Sequence, residues 1–277
     1  MRYILVQVLK EIGMKIGFIG SGKMATAIMK SIIRGGMCKP EEIIASDVIP
    51  DALLSVSIFG VKTTKNNADV VKNADVIVLS VKPQDMTIAV NEIAPFASGK
   101  LIVSIAAGIP ISLLEKILPM SRIIRVMPNV ALTVGEGMSV VARKNSATEA
   151  DLEKVIEIFS LGGKAVKVDE ESIDAVTAVS GSGPAYFFRM VEDMSEAGSQ
   201  LGLDKKLAAK LAAQACIGAG KMVIESGKEP TELVSMVASK GGTTEAAMNV
   251  FDKGNFDSMI LDAVSAAERR AKELSKK

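Results

Sequence analysis

"KIGFIGSGKMATAI", Lys15 to Ile28, is the stretch on which the fold turns. Lys15–Ile19 is an apolar run of strand length; Gly20, Ser21 and Gly22 follow at once, and a helical pattern runs over Lys23–Arg34. Glycine at two positions lets the backbone turn sharply and approach a ligand, and the small Ala25 lets the helix lie against the strand. The N–H groups that open such a helix carry partial positive charge, which suits a phosphate. A glycine pattern by itself fits any strand-to-helix turn. Between a strand and a helix it points to a dinucleotide pyrophosphate.

The same alternation continues outward. Apolar runs at Glu42–Ser46, Asp75–Val81, Leu101–Ala106, Arg122–Pro128 and Met138–Arg143 read as strands. Helices fit between and after them, at Asp51–Ser57, Pro83–Ile93, Ile111–Ile117 and Thr148–Leu161. Near-continuous apolar strands separated by helices indicate βαβ units and a parallel sheet covered on both faces. After Val168 the chain turns to long Ala-, Met- and Leu-rich helical stretches without a convincing strand. The expected architecture is α/β: a Rossmann-type doubly wound parallel sheet over residues 1–168, then an all-α domain over 169–277. Residues 1–13 read as an extension or a short extra strand.

Composition sets limits. In 277 residues, 33 basic and 32 acidic side chains leave a charge of +1, which gives no footprint for nucleic acid or an anionic membrane. The sequence contains no histidine, so Ser-His catalysis and histidine-held metals are excluded, and no metal site is expected. Cys38 and Cys216 lie far apart with no pairing motif, which suits a reducing cytoplasm. The N-terminal stretch is too short for a membrane span. Leu207–Ile224, long and apolar but carrying Lys210, Gln214 and Lys221, reads as a buried helix rather than a span.

Particular positions border the ligand crevice, which in a doubly wound sheet lies at the carboxyl ends of the strands. Asp47 follows the second strand, where a carboxylate would accept from a ribose 2′-hydroxyl and repel a 2′-phosphate, favouring NAD over NADP. A surface turn residue ahead of Pro50 is an equal reading, and Lys62 and Lys65 can serve a 2′-phosphate. NADH and NADPH therefore both stay open. Val81, Lys82 and Pro83 end the next strand. Lys82 is either a solvated loop lysine or a catalytic candidate, and Pro83 opens a helix. Ala106 and Ala107 leave room for a flat ring. Asn129, in "RVMPN", either touches ligand or caps a turn.

In the helical half, "SGSGPAYFF" (Ser180–Phe188) breaks a helix, placing Ser180 and Ser182 as substrate contacts or only allowing close packing. Tyr186, Phe187 and Phe188 read as core or interface. "SKGGTT" offers Gly241 and Gly242 N–H groups ahead of a helix that restarts near Thr244, a ready site for a carboxylate. The hydroxyls of Ser239, Thr243 and Thr244 can cap that helix or bond a substrate. The competing reading is a plain helix–helix turn.

"IGFIGSGKMATAI", "SVKPQ", "SIAAG", "RVMPN", "AVSGSGPAY" and "SKGGTT", in this order and spacing, resemble pyrroline-5-carboxylate reductase, a family that makes proline by reducing a cyclic imine with NAD(P)H. The resemblance spans Met14 to about Leu274. It implies that Ile19, Gly20, Ser21, Gly22, Lys23 and Met24 hold the pyrophosphate and that Asn66 lies near the adenosine. Ser80, Val81, Lys82 and Pro83, with Ile105, Ala106 and Ala107, would flank the nicotinamide. Ser239, Gly241, Gly242, Thr243 and Thr244 would bind substrate, with Thr244 as the catalytic candidate facing the ring nitrogen. The sequence departs from the family at two positions. Lys240 stands where proline is usual, and Asp47 where NADP-using members often carry a small hydroxyl residue.

A protonated imine is already electrophilic and the cofactor carries the hydride, so no strong side-chain acid or base is required. The rivals are a β-hydroxyacid dehydrogenase and a cofactor sensor without turnover. The first needs a lysine base early in the helical domain, where Arg189 is the only basic residue between Ser172 and Leu201. The Ala- and Gly-rich helix at Leu207–Ile224 suits a subunit interface. The resemblance implies an intertwined homodimer able to assemble further, with its active site in the cleft between domains.

Overall fold

The structure, a computed structural model, describes residues 13–275; apart from Gly13, the N-terminal extension expected over residues 1–13 lies outside them. The alternating part comprises β1 (Ile16–Ile19), α1 (Lys23–Arg34), β2 (Ile43–Ser46), α2 (Pro50–Ser57), β3 (Lys62–Thr64), α3 (Asn67–Asn73), β4 (Val76–Leu79) and α4 (Met86–Ile93). It continues through β5 (Leu101–Ser104), α5 (Ile111–Ile117), β6 (Arg122–Met127), β7 (Gly137–Arg143), α6 (Glu149–Ser160) and β8 (Gly163–Lys167).

The strands form one sheet in the order β3-β2-β1-β4-β5-β6-β7-β8. From β3 to β6 every pair is parallel; β7 returns antiparallel to β6, and β8 is parallel to β7. Connection length explains the change. Residues 128–136 are too few for a crossover, so β7 must come back beside β6, whereas α6 supplies the crossover to β8. Side chains alternate between the two faces along each central strand. Phe18, Val78 and Val103 pack with Ile28, Ile32 and Phe159 on one face. Ile19, Ile77, Leu79 and Ile102 pack with Val90, Ile93 and Leu114 on the other.

Residues 170–181 stay with the sheet. The buried Glu170 carboxylate accepts from the Ile111 N–H at 2.7 Å and pairs with Lys144 at 2.9 Å. The α7 turn (Ile173–Val176) leads into one π-helical turn, Thr177–Gly181. The first compact unit therefore ends at Gly181, later than the compositional change at 168/169, and it includes Glu268 onward.

The second unit, Ser182–Ala267, holds α8 (Gly183–Gln200), α9 (Lys205–Glu225), α10 (Pro230–Val237), α11 (Thr243–Lys253) and most of α12 (Phe256–Ser275). No strand occurs among its residues. Helices α8 and α9 pack closely: a Cβ added to Gly198 would lie 2.9 Å from the Ala208 Cβ. One expectation needs correction: helix α9 is buried only at Ala208 and Ala212 within the single chain. Phe187 and Phe188 are exposed, which removes core from their two readings and leaves interface. Among the described residues α9 alone is long and apolar enough to cross a membrane, by length and composition.

Candidate active site

The carboxyl ends of β1, β2 and β4 are tied into one edge. Gly20 sits at φ +92°, and a Cβ there would come within 2.8 Å of the Ser80 carbonyl. Only glycine lets the loop after β1 lie against the end of β4. Its N–H donates to the Ser46 carbonyl at 2.8 Å. The Ser80 hydroxyl donates to the Gly20 carbonyl at 2.6 Å, with the Ile19 carbonyl at 3.0 Å. Ser80, expected beside the nicotinamide, fastens the glycine loop after β1.

Gly22 precedes α1, and a Cβ added there would meet nothing within 4 Å. No side chain caps α1 and no acid stands in its first turn, so the N–H groups of Lys23, Met24 and Ala25 keep their hydrogens for an anion. An open approach over glycine toward uncapped helix donors fits a dinucleotide pyrophosphate.

Asp47 is held by the same loop. Its Oδ2 accepts from the Ser21 N–H at 2.7 Å and the Ser21 hydroxyl at 3.1 Å, and its Oδ1 accepts from the Ile49 N–H at 2.9 Å. Asn66, the expected adenosine neighbour, caps α3 by accepting from the Ala68 N–H at 2.9 Å. Lys82 is exposed at the end of β4, and Pro83 begins a 3₁₀ turn, Pro83–Asp85, ahead of α4. The Ile105 N–H donates to the Leu79 carbonyl at 3.1 Å, prolonging the β4–β5 ladder, and Ala106 is buried. The fold therefore gathers Ile19–Met24, Asp47, Asn66, Ser80–Pro83 and Ile105–Ala107 along one edge of the sheet, at the ends of five neighbouring strands.

Asn129 acts as a fastener. Its amide donates to the Ser180 carbonyl at 3.1 Å and its side-chain oxygen accepts from the Met138 N–H at 3.2 Å. Both ends of the side chain are engaged within the protein.

In the second unit, the loop before α11 turns at Gly241, φ +73°, and the Gly242 N–H closes onto the Ser239 carbonyl at 2.9 Å. Glu245 accepts from the Gly241 N–H at 2.7 Å. That corrects the expectation of bare Gly241 and Gly242 donors, since both N–H groups are engaged within the loop. No hydroxyl caps α11, so the Thr243, Thr244 and Glu245 N–H groups are the ones left for an anion. Sequence reading missed Glu245, whose bond reaches Gly241, one residue ahead of the Gly242 N-cap, and so is not the capping-box pattern. Ser182 stands at the start of α8, where its carbonyl accepts from the Ala185 N–H at 3.0 Å and its side chain makes no capping bond.

Comparison with known proteins gives two family matches. Residues 170–274 match pyrroline-5-carboxylate reductase dimerisation, and residues 15–108 match NADP oxidoreductase, coenzyme F420-dependent. A pyrroline-5-carboxylate reductase of Methanosarcina acetivorans is 42% identical over 266 residues, covering 95% of this chain and 98% of that protein. The solved structure of a pyrroline-5-carboxylate reductase from Coxiella burnetii superposes with a TM-score of 0.89 at 36% identity, over 96% of this chain and 100% of that one. A Plasmodium falciparum pyrroline carboxylate reductase, solved with NADP bound, gives a TM-score of 0.86 at 29% identity, over 95% and 98%.

Proposed function

Because the chain belongs to the pyrroline-5-carboxylate reductase family, we propose that it transfers a hydride from NADPH or NADH to the C=N carbon of 1-pyrroline-5-carboxylate, giving L-proline. The bound dihydronicotinamide supplies that hydride. The protein supplies the holding. Gly22 to Met24 receive the pyrophosphate on the uncapped start of α1, while Gly20 and Ser21, whose N–H groups are engaged with Ser46 and Asp47, shape the loop behind them. Ala106 and Ala107, small at the end of β5, leave space for the ring, and Lys82 is a catalytic candidate by its place at the end of β4.

The loop from Ser239 to Thr244 takes the substrate carboxylate on the Thr243 and Thr244 N–H groups, and the Thr244 hydroxyl orients the proton on the ring nitrogen. Ser182 is a further substrate contact in this reading. One observation carries the proposal: the start of α1, uncapped, free of acids in its first turn and set behind a glycine turn, suits the pyrophosphate of a dinucleotide. An alcohol substrate would need a base, and Arg189 is engaged with Asp193 at 2.8 Å.

The dimerisation match makes the chain a homo-oligomer. We place the contact of a homodimer, able to assemble further, on the exposed apolar side of α9. A reducing cytoplasm suits Cys38 and Cys216, which are both free thiols.

The test follows loss of reduced-cofactor absorbance on adding 1-pyrroline-5-carboxylate, with NADH and NADPH in parallel. Turnover with either is the expected result. Folded protein that binds cofactor and consumes neither would overturn the proposal.

A further inference from the structure

We infer that this chain selects NADH over NADPH and that Asp47 makes the choice, an inference that rests on the dinucleotide site proposed above. In the β1–β2 register Ile19 lies opposite Ser46, which sets Asp47 abreast of Gly20. Its carboxylate bonds Ser21, the residue between the two glycines that border the pyrophosphate. That places the carboxylate about one sugar away from the phosphates, at the adenosine ribose.

Three protein donors hold it there: the Ser21 N–H, the Ser21 hydroxyl and the Ile49 N–H. A carboxylate has roughly four lone-pair sites, so acceptor capacity remains for a 2′-hydroxyl. A 2′-phosphate offers like charge instead. Making room for it would mean breaking three bonds and loosening the phosphate loop itself.

The surroundings supply little compensation. Val48 and Ile49, which follow Asp47, are 88% and 57% exposed and carry no charge, and Pro50 opens α2. Lys62 is level with Ile44, two residues back from the edge. Lys65 follows the end of β3 and stands nearest the level of Asp47; it forms no ion pair with that carboxylate. In wild type its charge serves a 2′-phosphate only against the fixed carboxylate, and removing that carboxylate would free it to do so.

The experiment is equilibrium binding of NAD⁺ and NADP⁺ to the full-length protein by titration calorimetry, on wild type, Asp47→Ser and Asp47→Asn. Wild type should bind NAD⁺ more tightly by about 10- to 100-fold, the effect of one like-charge encounter at the protein surface. Asp47→Ser should bring the ratio near unity or below, chiefly by tightening NADP⁺. Asp47→Asn keeps an acceptor for the loop and should move the ratio the same way if the serine variant fails to fold. Wild type that binds NADP⁺ as tightly as NAD⁺ overturns the inference, and so does a folded Asp47→Asn whose ratio is unchanged. Binding of neither nucleotide overturns the dinucleotide site itself.

Discussion

Glu245 holds the Gly241 N–H, and with it a left-handed turn that no hydroxyl of the loop supports. The residue ahead, Lys240, leaves the backbone free to rotate where a proline would restrain it. Glu245→Ala should therefore loosen the turn and raise KM for the imine by roughly 3- to 10-fold, one hydrogen bond's worth, with cofactor affinity unchanged. Glu245→Gln should recover most of the loss. An unchanged KM in the alanine variant would show that the turn holds itself. A second carboxylate, Glu157, tests pH dependence. Both its oxygens are out of solvent without a hydrogen-bond partner, and this burial pushes its pKa above the usual glutamate range. A raised carboxyl pKa means the native state holds the proton more firmly than the unfolded chain. Stability from this group is fully present below the ordinary glutamate value and declines as pH rises through the folded value. Glu157→Gln should raise the unfolding midpoint of the first unit at neutral pH by about 2 °C and leave it unchanged near pH 4. Equal shifts at both pH values would locate the effect outside ionisation.

At the scale of elements, the turn after β1 has the least tolerance. Gly20→Ala places a methyl group 2.8 Å from the Ser80 backbone at a φ that side chains rarely adopt. Dinucleotide affinity should fall by at least about tenfold with a lower unfolding midpoint, and retained affinity in calorimetry would refute this account of the loop. That turn was legible from sequence because its chemistry is backbone chemistry, marked by glycine. Strands β1, β4 and β5 were legible too, since burial on both faces leaves an unbroken apolar run. Edge strands carry no such signal. β3 is "KTT" and β8 is "GKAVK", and both face solvent along much of their length. Helix α3 has seven residues and buries only Val70 and Val71, too little for a period to show. The antiparallel return of β7 follows from loop length, which an apolar pattern does not encode. In the site, the partners of Asp47 and Ser80 lie 26 and 60 residues away, so their bonds left no local trace. The Glu245 bond is local, but it reaches one residue beyond the helix N-cap, which no capping pattern marks.

For the whole molecule, the proposed homodimer contact lies on the exposed apolar side of α9. Leu211 and Met222, which share one side of the helix, are 53% and 43% exposed in the single chain. Replacing both with lysine should leave the helix intact and shift the mass by light scattering toward one chain, 29.1 kDa. An unshifted mass would move the contact to another face. Asn129 bears on how the chain reaches this state. Its side chain joins the end of β6 to Met138 in β7 and to Ser180 in the π-helical turn, where the first unit ends. Both partners are in reach only after β7 has paired and that turn has wound. During synthesis the segment that leads into the helices can lock only behind a finished sheet edge, so the order of the chain becomes an order in time. That seam can close while the helices after it are still being made, but the unit it belongs to waits for Glu268 onward, the last of the chain to appear.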